Sequence, residues 1–409
     1  MMPSGKITSV NPKVESNTML MTQPLRIAYL SLQAVVDGQD TWAAVTEVIN
    51  GWEALGWTVD RYFAEYPASG APRGLGRLAE MRRVQGRLAE QLREYDAVYV
   101  RAHQMALPTA RRAAALAVPV VQECNGPYED LFIAYPRLRL GRPILDAMQR
   151  WQYRHASAIV AVAEGLTGWL KREAGHERVY TIGNGANTEV FSPDAPRRPG
   201  LPERFAVFFG QFPAWQGIST LLEAVKLPAW PSGLPLVFVG DGAMRPDVEA
   251  AVVEMPGRVL YLGRLPYDEV AQVVAHAVVS FVPMMAPERE TMFSPLKLYE
   301  SMACGVPVVA SDVVGISEVV NECRCGILVA AGDARAIAEA TARIVGDPIG
   351  AREMGLRGRE AAVGRFSWKA RAAQRARVIE DAVQGCRDRR IGDPARPGSM
   401  PDAEGGPQA

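Results

Sequence analysis

The run Ser294–Asp312, SPLKLYESMACGVPVVASD, holds the residue types that suit a phosphate ester bound beside a hydroxylated ring. Ser294 is a good N-cap and Pro295 fits the first helical position, where its missing N–H costs nothing. Gly305 closes the helix as the residue after the C-cap, and Val306–Ala310 then forms a strand. This helix starts in the loop after the strand Val279–Pro283, so its free N–H groups and positive dipole end form a ready anion site. Lys297 lies at the third helical position, where a cation opposes the dipole by roughly 0.3–1 kcal/mol unless an anion such as a diphosphate is present. Alternatively Lys297 reaches into water and pairs with Glu290 or Glu300. Glu300, two turns in and near Leu296, Leu298 and Met302, can accept hydrogen bonds from two ribose hydroxyls. The plainer alternative is an exposed helix acid.

Such residues need rigid elements behind them. Short apolar, β-rich runs alternate with helical stretches from residue 26 onward. In the first half they are Arg26–Leu32, Thr58–Phe63, Ala97–Arg101, Val118–Glu123, Ser157–Val162 and Arg178–Ile182. In the second they are Phe205–Gly210, Leu236–Gly240, Val259–Leu262, Val279–Pro283, Val306–Ala310 and Gly326–Val329. Runs apolar on both faces, separated by helices, predict buried parallel sheets in doubly wound α/β domains. A Pro-rich stretch, 193–202, suits a linker between an N-terminal domain over 25–192 and a C-terminal domain over 203–366. A last helix capped by Ser367 is expected over 367–386, possible partner of the N-terminal domain, with a disordered leader over 1–24 and a disordered tail over 387–409. Two such domains face each other with the C-terminal ends of their strands, making a cleft for a nucleotide and a second substrate.

Composition narrows the classes. A chain of 409 residues is long for one core. Lys plus Arg equals Asp plus Glu, 45 against 45, so no net field gathers nucleic acid. The five cysteines are irregularly spaced, and Cys323-Arg324-Cys325 lacks a second pair or a nearby His, so neither zinc nor any other metal is expected. No stretch reaches the roughly 18 apolar residues of a membrane helix. A cytoplasmic protein with reduced thiols is the expectation.

The Ser294–Asp312 run resembles the donor-binding element of the GT4 family of retaining glycosyltransferases, and the resemblance extends over most of residues 26–385. Ile182-Gly183-Asn184-Gly185-Ala186-Asn187 followed by Phe191-Ser192-Pro193 is similar to the family's segment before the linker. Phe209-Gly210-Gln211, Gln216-Gly217 and Leu221–Ala224 are similar to its first C-terminal strand, turn and helix. Val239-Gly240-Asp241-Gly242 and Gly263 follow in order. The resemblance implies the GT-B fold, two Rossmann-like domains across a cleft, and metal-independent transfer with retained configuration. It implies a nucleotide-diphosphate sugar held by the C-terminal domain, as substrate rather than cofactor. Gly210, Gln211, Gln216, Gly240, Gly242, Ser294, Pro295 and Leu296 would line its site, with Glu300 on the ribose and the backbone at Arg264-Leu265 near the base.

Four positions depart from the family pattern. Gln211 and Gln216 stand where an Arg and a Lys grip the diphosphate, and charge-assisted bonds are roughly twice as strong as neutral ones. Met292 stands eight residues before Glu300, where the family has an acid; Glu290 and Glu288 are close by and could replace it only in a differently shaped loop. Asn125 replaces a His. An active but divergent transferase would use Lys297, Arg289 and the helix start for the diphosphate, with Glu123 and Asn125 on the sugar. The alternative is a weakened homologue that binds a sugar nucleotide or serves as a scaffold.

The acceptor, a glycan or lipid-linked molecule in surface polysaccharide or glycoconjugate assembly, would meet loops after Leu32 and Arg101. Gly38 permits close backbone approach there, and His103 stands either as an acceptor base or as a structural histidine. Arginines recur with leucines over residues 73–93, and Arg137, Arg139 and Arg142 interleave with Leu138, Leu140 and Ile144. A basic amphipathic surface of this kind either rests on anionic lipid at the inner face of the membrane or is a solvated helix over a core.

Overall fold

The computed structural model describes residues 24–35, 40–66, 75–128, 131–132, 136–285 and 294–392. Twelve strands among them form two six-stranded sheets. The first holds β1 (Arg26–Ser31), β2 (Thr58–Phe63), β3 (Ala97–Arg101), β4 (Val120–Cys124), β5 (Ala158–Ala161) and β6 (Val179–Thr181). The second holds β7 (Ala206–Gln211), β8 (Leu236–Asp241), β9 (Val259–Tyr261), β10 (Val279–Val282), β11 (Val308–Ser311) and β12 (Gly326–Val329). Each coincides with one of the apolar runs, with edges moved by at most two residues. Every pairing is parallel. Tyr29 and Leu30 in the first sheet, and Val207 and Phe208 in the second, are buried on opposite faces, which is why the strands read as unbroken apolar runs.

The strand orders place the cleft. The first sheet runs β2-β1-β3-β4-β5-β6 and the second β12-β11-β10-β7-β8-β9. Chain direction across the first sheet reverses between β1 and β3, and across the second between β7 and β10. Loops leaving the carboxyl ends of such neighbours diverge and open a crevice. Leu32 and Arg101 stand at the first crevice, and Gly210-Gln211 and Pro283 at the second.

The final helix, Trp368–Gly392, packs against the first sheet and the helix Asp40–Glu53. Trp368, Ala372, Ala376, Ile379 and Val383 share one core with Ile27, Tyr29, Trp52 and Tyr99. At Gly51 the two helices approach so closely that a Cβ would stand 2.3 Å from Ala372 Cβ. Trp52 Nε1 donates to the Ala372 carbonyl at 3.0 Å. Ser367 Oγ accepts from the Ala370 N–H at 3.2 Å, the N-cap bond its residue type suggests. The helix runs on to Gly392, through residues expected to belong to a disordered tail. Arg387 explains part of that extension, because its guanidinium meets Asp96 of the N-terminal domain at 3.0 Å.

Candidate functional site

The helix Leu296–Ala303 begins one residue later than its sequence suggests. Pro295, with ψ of 123°, is the N-cap, and Lys297 therefore lies at the second helical position. Ser294 does not cap the helix because its groups are used elsewhere. Its hydroxyl accepts from the Asn184 N–H at 3.0 Å and lies 3.1 Å from the Tyr299 hydroxyl, and its carbonyl accepts from Asn184 Nδ2 at 2.7 Å. Ser294 thus ties the helix start to the segment after β6, across the two domains. The other end closes as expected: Gly305 adopts φ of +69°, the Val306 N–H donates to Ser301 O, and the Gly305 N–H to Met302 O.

Two adjoining cavities share Phe209, Gly210, Gln211, Leu296 and Glu300 and form one cleft between the sheets. One arm is lined by Arg101, Asn125, Asn184, Gln216, Ser294 and Lys297. The other is lined by Trp42, Gly240, Gly242, Arg264, Leu265 and Tyr267. Glycine is required at the floor. Gly240 has φ of +138°, and a Cβ there would meet Gly210 O at 1.8 Å. Gly210 itself, at φ of +109°, leaves room for Lys297, whose Nζ would lie 3.7 Å from a Cβ at that position.

Lys297 is 7% exposed. Its ammonium lies 4.0 Å from the centre of the Phe208 ring and donates to Gln216 Oε1. Gln216, a departure from the family's cation, therefore holds the cation supplied by the helix. Glu300 is also buried. Buried near the same helix end, these two groups offer a cation and a bidentate acceptor within one cleft, while Gln211 and Arg264 stand exposed at its edge.

Glu123 lies behind the cleft and is not among its lining residues. Its carboxylate meets Arg101 at 2.9 Å, Arg375 at 3.4 Å, Tyr99 Oη at 2.7 Å and Asn125 Nδ2 at 2.9 Å. Burial alone would raise its pKa, but the two guanidinium groups and the two donors outweigh burial and hold it below the ordinary carboxyl range. The expectation that Glu123 faces the sugar is corrected: the carboxylate is spent on four protein partners. Asn125 does line the cleft, anchored by Glu123. For His103 the structure takes the structural alternative rather than the acceptor base. Its Nδ1 accepts from the Met105 N–H at 3.1 Å, capping the turn Gln104–Ala106, and it is absent from the cleft lining. Burial and the nearby Arg77 push it down to about 4, so the ring is neutral near pH 7. Gly38 and Glu290, with Arg289 and Met292, lie outside the described residues.

Residues that sequence reasoning passed over complete the site. Arg101 is the charged end of an otherwise apolar strand, a signal that was legible. Arg375 is 1% exposed on an arginine-rich helix that reads as solvated; besides Glu123 it bonds the Ile182 carbonyl at 3.1 Å. Trp42 lines the cleft, whereas Trp52 and Trp57 are buried. His155, His176 and His276 each bond a backbone carbonyl. Among the described residues no group of His, Cys, Asp and Glu is placed to hold a metal ion, and no helix is long and apolar enough to cross a membrane.

Comparison with known proteins agrees with the fold. Residues 45–190 match the family model described as Glycosyltransferase Family 4, and residues 203–347 match that of Glycosyl transferases group 1. Alpha-maltose-1-phosphate synthase of Mycobacterium tuberculosis is 31% identical over 241 residues, 52% of this chain and 60% of that protein. The chain thus spans less than two thirds of the length of that relative. Among solved structures, sucrose-phosphate synthase from Thermosynechococcus elongatus superposes with a TM-score of 0.69 at 22% identity, covering 88% of this chain and all (100%) of that one. HepE from Anabaena, solved with UDP, superposes at 0.65 and 17% identity over 88% of this chain and 100% of its own. At these identities the likeness is one of fold, the GT-B pair of facing domains.

Proposed function

Because the chain belongs to the GT4 glycosyltransferases, two consecutive family matches together spanning more than half of it, we propose that it moves a hexosyl unit from a UDP- or GDP-sugar to a glycan or lipid-linked acceptor. Surface polysaccharide or glycoconjugate assembly at the inner face of the membrane is the setting we infer. One observation carries the reading: the start of the helix Leu296–Ala303, the Lys297 ammonium and the Glu300 carboxylate share a single cleft at the crevice between β7 and β10. That HepE was solved with UDP supports a uridine nucleotide among the donors to try first.

The chemistry follows from charge. As the bond from the sugar to the diphosphate breaks, the diphosphate gains negative charge and the ring becomes oxocarbenium-like. Preorganised donors in a water-poor site supply most of the stabilisation such a step needs. The free N–H groups of Leu296 and Lys297 and the Lys297 ammonium would receive the diphosphate oxygens. Glu300 would take the ribose hydroxyls, Arg264-Leu265 would border the base, and Asn125 would meet the sugar. In this reading Lys297 fills the role of the family cations replaced by Gln211 and Gln216. Retention at the anomeric carbon and independence from metal are part of the proposal, and transfer is expected to persist in excess EDTA.

For the acceptor side we infer contact with anionic lipid. Leu138, Leu140 and Ile144 are 42%, 96% and 69% exposed beside Arg137, Arg139 and Arg142. Arg142 pairs with Asp146 and lies over Phe132, while in the helix Leu75–Gln91 Arg83 pairs with Glu80, and Arg77 and Arg87 lie over Tyr66 and Tyr62. Flotation with phosphatidylglycerol vesicles tests the contact, and recovery only in the lipid-free fraction removes it. Incubation with UDP- and GDP-hexoses, a lipid extract as acceptor and mass analysis of products tests the transfer. A nucleotide sugar that binds while no acceptor in the extract gains a hexose would favour the binding-only homologue.

A further inference from the structure

Tyr267 opens the helix Tyr267–Val274, directly after Pro266, and its ring borders the same cleft arm as Glu300. The ring is fixed edge-on against Phe191, with centroids 5.0 Å apart and planes at 67°. Its hydroxyl oxygen is buried from solvent and makes no well-aligned hydrogen bond, although the Glu300 carboxylate and the Asn187 N–H stand close enough to act on it. Buried polar groups without partners are uncommon and costly, and one in a native structure calls for an explanation.

What surrounds the hydroxyl supplies one. Glu300 of the C-terminal domain and Glu47 of the N-terminal domain both lie near enough for their charges to act on it, and the Asn187 N–H faces it. Asn187 is itself fixed, its Nδ2 donating to Glu47 at 2.6 Å and its Oδ1 accepting from the Glu189 and Val190 N–H groups at 3.1 Å. Burial first, then the Glu300 and Glu47 carboxylates, push the phenol well above its ordinary range, so it keeps its proton. A neutral phenol facing a carboxylate can do one thing for it, which is donate.

We propose that Tyr267 is a positioning residue of the nucleotide pocket: its hydroxyl donates to the Glu300 carboxylate when a nucleoside occupies the cleft, and thereby sets the preference for ribose over deoxyribose. The inference rests on the reading of the cleft as a nucleotide site and adds the group that orients Glu300. With one carboxylate oxygen held by the phenol, the other is presented to the 2′-hydroxyl in one rotamer. Without that bond one of the contacts that fix the carboxylate is lost, and a ribose gains less over a deoxyribose. Because the hydroxyl makes no well-aligned bond in the free protein, removing it costs little there.

The test compares the full chain with Tyr267→Phe by calorimetric titration of UDP and 2′-deoxy-UDP, with GDP and 2′-deoxy-GDP as a second pair, and by thermal melting without ligand. The wild type is expected to favour the ribonucleotide, and Tyr267→Phe to shrink that preference by about tenfold, the order of one hydrogen bond to a charged group. The melting temperature of the free variant is expected to equal or exceed that of the wild type. A preference unchanged in Tyr267→Phe while the wild type binds UDP or GDP overturns the role of Tyr267 and leaves the nucleotide site standing. A variant that melts lower with both affinities reduced equally marks Tyr267 as structural and also overturns it. Failure of the wild type to bind either nucleotide sinks both readings.

Discussion

Replacing Lys297 by methionine removes one charge from the cleft and keeps the length and apolar stem of the side chain. In the free protein the consequences nearly cancel. The ammonium loses its place over the Phe208 ring at 4.0 Å, worth about 0.5–2 kcal/mol, and its bond to Gln216, which water can replace because Gln216 is only half-buried. Against that, the second position of a helix no longer carries a cation opposing the dipole, a gain of about 0.3–1 kcal/mol. Stability should therefore change by only about 1 kcal/mol, and the variant should fold. With a diphosphate bound, the loss is a hydrogen bond between two charged groups in a buried site, about 1.5–3 kcal/mol. That corresponds to roughly ten- to 150-fold weaker binding. Titration calorimetry at fixed ionic strength with UDP and with uridine isolates the effect, GDP and guanosine serving if the base pocket takes guanine. UDP should weaken by that factor and uridine should not. Equal weakening of both, or an unchanged UDP affinity, would refute the assignment of Lys297 to the phosphates.

Three further outcomes follow from the packing and the buried charges. Glu123 has its pKa held below 4.5, so the stability its carboxylate contributes is present above the ordinary carboxyl range and is lost as pH falls through the lower, folded value. Glu123→Gln should flatten that acid limb of the melting profile while costing about 3–5 kcal/mol near pH 7, since Arg101 and Arg375 would be left buried without their anion; a variant with the wild-type acid limb would argue otherwise. His103 is depressed from 6.5 to about 4, so the stability tied to its neutral ring is present above pH 6.5 and disappears as pH falls towards 4. His103→Asn keeps a capping acceptor and should melt with less pH dependence across that interval, read by calorimetry from pH 4 to 7. Gly51→Ala should lower the melting temperature, because its Cβ would stand 2.3 Å from Ala372 Cβ and push the final helix off the N-terminal domain. Gly86→Ala, mid-helix with nothing within 4 Å, should instead stabilise by about 0.5–1 kcal/mol; the same sign for both would contradict the close approach.

The strands were legible because doubly covered parallel strands carry apolar side chains on both faces, and runs such as Phe205–Gly210 and Leu236–Gly240 have few other interpretations. Strand β11 shows where edges escape: it starts at Val308 rather than Val306, because Gly305 and Val306 complete the end of the preceding helix and Pro307 has no N–H to give the ladder. The cap at Ser294 was misread because a side chain that suits a local bond can equally serve a distant one, and Asn184, 110 residues away, claims it. Glu123 and Arg375 show the same limit for charges. A buried ion network joins residues 252 apart, and nothing periodic in either segment announces it. Lys297 and Glu300 were found because both sit on one short helix whose start is written locally. Tyr267 gave no signal beyond its place after Arg264-Leu265, since the burial of one hydroxyl depends on three segments meeting.

A crystal structure with UDP, or with the sugar nucleotide that binds best, tests the central assignment most directly. The account predicts diphosphate oxygens at about 3 Å from the Leu296 or Lys297 N–H and from the Lys297 ammonium, with the Glu300 carboxylate accepting from the ribose. A nucleotide seated away from this helix start, or one whose ribose does not reach Glu300, would contradict it.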